Sequence, residues 1–167
     1  MKYRKLKNGK YKIVDMNIIT YEEVVMKYFN QNVSMETILN ENEFYDEYYK
    51  CIRLINKRLR SIKEIKKITN SDVLDRLITN GYLNDLRYAK AFIHDKYLLS
   101  NEGPLKIKYK LISNDIDELV IDEILKEYDF SKKIKNTLLK YGIEDGTRKL
   151  LSRGYDLEDI KKEIQWL

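Results

Sequence analysis

Arg87, Lys90 and His94 are spaced i, i+3, i+7, and Lys96, Lys106, Lys108 and Lys110 follow them closely. The first three share one face if this stretch is helical. Arg58 and Arg60, beside Lys57, form a second basic cluster at the end of an amphipathic run. Cations in such an array can neutralise phosphates, with salt-dependent affinity, or meet an acidic protein groove. The plainer alternative is a solvated helix face. For Arg58 and Arg60 it is capping of the last carbonyls of a helix.

Little else in the chain suggests a reaction. His94 has no partner motif around it. Cys51 falls on an apolar face, where a small buried hydrophobe is the simpler reading. One His and one Cys cannot build a tetrahedral zinc site from the usual ligands. There is no phosphate-cradling Gly loop, nucleophile elbow or ligand cluster, so neither catalysis nor a cofactor is expected. Tyr82, Tyr88, Phe92, Tyr97 and Tyr109 could stack on bases, but Tyr88 and Phe92 lie on an apolar stripe and read as core. Trp166 could pin the last helix or touch a partner.

The elements that must position these residues are helical. One Pro and six Gly in 167 residues leave few helix breakers, and 43% hydrophobic residues suffice for a core. The start of the chain differs. Asn8-Gly9 is a hairpin signal flanked by residues 3–6 and 11–14, and Ile18-Ile19 could add a third strand. Such a small sheet must pack on the helical body or on a partner. Thr20-x-x-Glu23 resembles a capping box opening a short helix with Val24, Val25 and Tyr28. Residues 30–42 read as polar and irregular, with one possible helical turn at Met35, Ile38 and Leu39.

Nine helices then follow. Residues 43–57 carry Phe44, Tyr48, Cys51, Ile52 and Ile55 on one face. Ser61-x-x-Glu64 is a second capping box, opening a helix with Ile62, Ile65 and Ile68. Residues 71–80 present Leu74, Leu77 and Ile78, and Gly81 closes them in a left-handed conformation. Asn84 or Asp85 caps residues 84–99, whose stripe is Tyr88, Ala89, Phe92 and Ile93. Pro104 takes the first position of the next helix, residues 105–113. Residues 117–128 carry Ile121, Ile124, Leu125 and Tyr128. Residues 130–141 are closed by Gly142, and Asp145 caps a helix closed by Gly154. Asp156 caps the last, with Leu157, Ile160, Ile164 and Leu167.

Leu111-Ile112-x-x-x-Ile116-Asp117 matches Leu150-Leu151-x-x-x-Tyr155-Asp156, and Ile121 and Leu125 match Ile160 and Ile164 at the same offset. Helical repeats of roughly 35–45 residues mark stacked units with a shared core. The expected fold is all-α: three elongated tandem three-helix repeats behind a small N-terminal β-hairpin. The boundaries fall at residues 1–42, 43–83, 84–128 and 129–167.

The chain has net charge +5, with 27 acidic residues interspersed among 32 basic ones. A nucleic acid or an acidic protein suits that balance. A lone Cys suggests a reducing compartment, no apolar run reaches the roughly 20 residues of a membrane span, and the basic N-terminus lacks a signal peptide's apolar core. A cytoplasmic monomer is expected.

Gly81-Tyr82-Leu83-Asn84-Asp85-x-x-Tyr88-Ala89-x-x-Phe92-Ile93 resembles the RecX family, bacterial modulators of the RecA recombinase. Gly103-Pro104-x-Lys106-Ile107-x-x-x-Leu111 and the closing Arg153-Gly154-Tyr155 extend the resemblance, which covers residues 48–167. It implies three tandem three-helix repeats and a non-catalytic protein. The implied partner is the RecA filament on single-stranded DNA, with dampened ATP hydrolysis, strand exchange and co-protease action. The sequence departs from the family pattern at Thr69-Asn70-Ser71, where a basic-Gly-aromatic turn is usual, and at Asn114-Asp115-Ile116, where Lys-Gly-Ile is common. Leu86 replaces a frequent acidic residue. The competing reading is a direct DNA binder that uses helix-turn-helix corners, although no helix start displays the Arg, Asn or Gln cluster of base readout.

Overall fold

The structure, a computed structural model, describes residues 2–166; Leu167, expected to end the last apolar stripe, lies outside the described residues together with Met1. Strands β1 (Tyr3–Lys5), β2 (Tyr11–Ile13) and β3 (Ile18–Thr20) come first. Ten helices follow among the described residues: α1 (Glu22–Lys27), α2 (Met35–Lys57), α3 (Ile62–Lys66), α4 (Ser71–Thr79), α5 (Asp85–Leu99), α6 (Pro104–Ile112), α7 (Glu118–Leu125), α8 (Ser131–Tyr141), α9 (Ile143–Ser152) and α10 (Leu157–Ile164). The chain divides into two compact units. One holds the residues up to Leu59 with Ile65–Tyr82, and the other holds Arg60–Glu64 with the chain from Leu83 onward.

In the first unit the strands form an antiparallel sheet in the order β1-β2-β3. Gly9 takes φ +83°, its N–H donates to Leu6 O at 3.1 Å, and Leu6 N donates to Lys10 O at 2.8 Å. This is a three-residue hairpin loop with Gly at the left-handed position. The expected capping box at Thr20 does not form. Thr20 is the buried end of β3 and its hydroxyl donates to Asn42 Oδ1 at 2.6 Å, while Glu23 accepts from the Tyr49 hydroxyl. Tyr21 stands at the N-cap of α1 without a side-chain bond.

Residues 30–42 are less irregular than expected. Ser34 caps α2 by accepting from Thr37 N at 3.1 Å, and the helix runs unbroken for 23 residues. Its polar first turns are held by tertiary contacts: Ile38 is buried, and Asn42 Nδ2 donates to Ile19 O at 2.9 Å. The buried face is Ile38, Tyr45, Tyr48, Cys51 and Ile55, so Tyr45 takes the core position expected of Phe44. Glu47 supports the departing turn before α4, accepting from the Thr69 hydroxyl at 2.6 Å and from Asn70 Nδ2 at 2.8 Å. Asn70 then caps α4 through Val73 N at 3.0 Å.

In the second unit the Ser61–Glu64 capping box is reciprocal. Glu64 N donates to Ser61 Oγ and Ser61 N to Glu64 Oε2, both at 3.2 Å. Asp85 Oδ1 accepts from Ile62 N at 2.9 Å, and Lys63 reaches Ser113 O at 3.0 Å and Asp115 Oδ1 at 2.8 Å, capping the end of α6. The internal repeat is present in three dimensions. Ile116 N donates to Leu111 O at 3.2 Å after Asp115 at φ +61°, and Tyr155 N donates to Leu150 O at 3.1 Å after Gly154 at φ +86°. Asp117 and Asp156 cap α7 and α10. Leu111, Leu150, Ile121 and Ile160 are fully buried in one cluster with Ile93, Ile107, Phe130 and Leu138.

Within the second unit, one helix start differs from expectation. Gly142, at φ +79°, ends α8 and begins α9 at once, so Asp145 lies inside the first turn and caps nothing. Gly146 is buried on α9, where a Cβ would lie 3.1 Å from Leu138 Cα. The missing side chain lets the two helices cross closely. No helix among the described residues is long and apolar enough to cross a membrane.

Candidate partner-binding face

Arg87, Lys90 and His94 project from the exposed side of α5, opposite buried Tyr88, Ala89 and Ile93. The amphipathic helix fixes that division, and Asn84 fixes its start by accepting from Arg87 N at 2.8 Å. His94 Nδ1 lies 3.4 Å from the Tyr128 hydroxyl. Tyr128 packs on Tyr97 at 5.0 Å between ring centres, and Tyr97 packs edge-on to Phe130 at 5.2 Å. Lys133, from α8, anchors the end of α5: its ammonium donates to Tyr97 O and, at 2.8 Å, to Ser100 O. Burial holds the Lys133 pKa below its usual range.

Three of the expected site lysines brace their own unit. Lys96 lies 3.7 Å from Glu102 Oε2, and Lys110 2.5 Å from Glu102 Oε1. Burial pushes the Glu102 carboxyl up, but the bond from Lys110 and the charges of Lys96 and Lys106 bring it below its ordinary value. Lys108 lies 2.7 Å from Asp122 and 2.8 Å from Glu118, on α7. Those two hydrogen bonds, Asp122 first, raise its pKa. Such partly exposed pairs orient the α6–α7 junction more than they stabilise it.

Lys106 is exposed on the outer side of α6, as is Lys90 on α5. Beside Lys106, Leu105, Tyr109 and Ile112 are 50%, 73% and 40% exposed, while Ile107 and Leu111 on the opposite side are fully buried. This i, i+4, i+7 apolar stripe facing solvent was legible as spacing in the sequence. It was missed as a set because α6 is apolar on two sides. Arg60 is half-buried. Arg58 belongs to the other unit, where it is exposed and donates to Leu59 O at 3.3 Å. The structure thus gathers Arg87, Lys90, His94, Lys96, Lys106, Lys108 and Lys110 on two neighbouring helices and leaves Arg58 outside their unit. Cys51 is buried, and burial raises its thiol pKa, as suits a packing residue.

The helices that carry this face match a known domain. A family model described as "RecX, second three-helix domain" matches residues 84–125, from the N-cap of α5 to the last residue of α7. A Lactococcus lactis protein named "Regulatory protein RecX" is 30% identical over 168 residues, covering 90% of this chain. Over these residues the chain is similar to RecX proteins. It spans 61% of the length of that Lactococcus relative. It spans 43% of a Bacillus mycoides protein of the same name, at 26% identity over 64% of this chain. The RecX fold is shared with two crystal structures. One, titled as regulatory protein RecX, has a TM-score of 0.80 at 16% identity, covering 98% of both chains. The other, RecX from Lactobacillus salivarius, has a TM-score of 0.68 at 21% identity, covering 76% of this chain and 97% of its own.

Proposed function

We propose that this chain binds the RecA filament on single-stranded DNA and restrains it, lowering ATP hydrolysis, strand exchange and co-protease action without catalysing a reaction. Similarity to RecX proteins carries this reading, and those relatives are named as regulatory proteins. In it the chain acts as a cytoplasmic monomer in DNA repair and the SOS response. An N-terminal extension, residues 1–42, precedes three-helix repeats at 43–83, 84–128 and 129–167.

The contact face is the exposed flank of α5 and α6. Arg87, Lys90, Lys106 and Tyr109 reach the partner, and Lys96, Lys108 and Lys110 hold the flank in shape through their ion pairs. Exposed cations beside an aromatic ring suit an acidic groove or a phosphate backbone. Purified protein added to RecA, single-stranded DNA and ATP lowers the ATPase rate at stoichiometric amounts, and Lys90→Glu with Lys106→Glu weakens that effect at least several-fold. An unchanged ATPase rate with the unmodified protein overturns the reading; full inhibition by the double variant overturns the assigned face.

A further inference from the structure

The positive charge of this chain is not spread evenly. Of 32 Lys and Arg and 27 Asp and Glu, six bases and one acid lie in residues 2–20, so residues 21–167 carry 26 of each sign. The whole excess of +5 therefore belongs to the three-stranded sheet and its turns.

The register concentrates it further. Arg4 stands directly opposite Lys12, and Lys12 opposite Ile19, which places the three on one face. The other face carries Ile13 and Thr20, both buried. Like charges directly opposed across an antiparallel pair destabilise it, yet among the described residues no carboxylate forms an ion pair with Arg4, Lys7 or Lys12. Asp15, the one acid within residues 2–20, accepts from the backbone N of Lys2 at 3.0 Å. Lys10 is the exception, 3.7 Å from Asp46 and 4.1 Å from the centre of the Tyr21 ring.

Apolar groups sit among these cations. Val14 and Ile19 are 49% and 53% exposed. Tyr3, opposite Ile13, belongs to the other face and stacks on Phe29 there. A mixed surface of this kind fits single-stranded nucleic acid better than a uniformly acidic protein. Phosphates relieve the Arg4–Lys12 repulsion, and unpaired bases find apolar surface at Val14 and Ile19. Residues two apart on a strand repeat at about 6.7 Å, which suits successive phosphates of an extended single strand.

We propose that the outer face of this sheet is a single-stranded nucleic-acid site. Arg4 and Lys12 hold the phosphate backbone, Lys2 and Lys7 flank them, and Ile19, opposite Lys12, offers apolar surface to a base. The site shares no residue with the α5–α6 flank and acts without RecA.

Fluorescence anisotropy of a labelled oligothymidylate, titrated over a range of NaCl without RecA, tests it. Binding is expected at low salt, weakening linearly on a log–log plot. Arg4→Gln with Lys12→Gln lowers affinity at least tenfold and reduces the slope by about 1.4, at roughly 0.7 for each phosphate left without its cation. Ile19→Ser weakens binding with the slope unchanged, and Lys90→Glu with Lys106→Glu leaves it intact. Circular dichroism confirms that each variant keeps its helix content. The proposal is overturned if the oligonucleotide does not bind at low salt, if the Arg4–Lys12 variant binds with unchanged affinity and slope, or if polyglutamate competes as well as unlabelled oligothymidylate.

Discussion

Gly103 and Gly154 stand back to back. Gly103 N donates to Arg153 O at 2.8 Å, and Leu105 N to Gly154 O at 3.0 Å. Gly103 offers α6 no side-chain cap and Pro104 has no N–H, so the turn that closes α9 supplies an acceptor for the exposed start of α6. A Cβ on Gly103 would lie 2.4 Å from Gly154 O, and a Cβ on Gly154 2.5 Å from Lys106 Cβ. Two motifs far apart in sequence are thus one joint.

Gly103→Ala and Gly154→Ala are each expected to cost about 2–4 kcal/mol, because tightly apposed backbone must open in either case. Gly154→Ala adds left-handed strain at φ +86°. Gly9→Ala, with nothing within 4 Å of its would-be Cβ, loses only about 1–2 kcal/mol from its positive φ. Urea unfolding midpoints at constant m-value measure the difference.

Glu102 couples stability to pH. Its folded pKa is lowered from the ordinary 4.5 by Lys110 and Lys96 despite burial. The stabilisation is present above the unfolded value and is lost as pH falls through the folded one. Unfolding midpoints at pH 7 and at successive steps below 4.5 should show that loss, and Glu102→Gln should flatten the acid limb.

Lys133 closes the end of α5 through Tyr97 O and Ser100 O. Lys133→Met leaves those carbonyls without this donor and is expected to cost about 1–3 kcal/mol. Hydrogen exchange should show the loss first in the last turn of α5.

Leu111 and Leu150 occupy equivalent, fully buried positions in the two copies of the repeat. Either one changed to Ala should cost about 2–5 kcal/mol. Thermal denaturation should show both losses in a single transition, since both residues belong to one cluster.

Much of the second unit was legible because its signals are local. Asp115 and Gly154 announce turns through the backbone they permit, and Asn84, Asp117 and Asp156 announce caps through the groups they accept from. The misreadings arose where a distant partner decided. The first turns of α2 contain Asn40 and Asn42, weak helix formers, and Asn42 is fixed by β3, which no local pattern reveals. Thr20 and Glu23 have capping-box spacing, but Asn42 and Tyr49 bind them instead. Lys108 looked like a partner contact because no periodicity links it to Asp122 on the following helix. Whole-chain charge also misled: interspersed acids and bases hid a segment holding all of the excess.

That segment has a consequence for how copies of the chain behave in bulk. Without the sheet, the remaining residues carry equal numbers of acids and bases, and a body with no net charge near neutral pH lacks the mutual repulsion that opposes precipitation. Neutralising the sheet, by substitution or by a bound polyanion, should therefore bring the colloidal solubility minimum towards neutrality, and light scattering across pH 6–9 would register it as growing particle size.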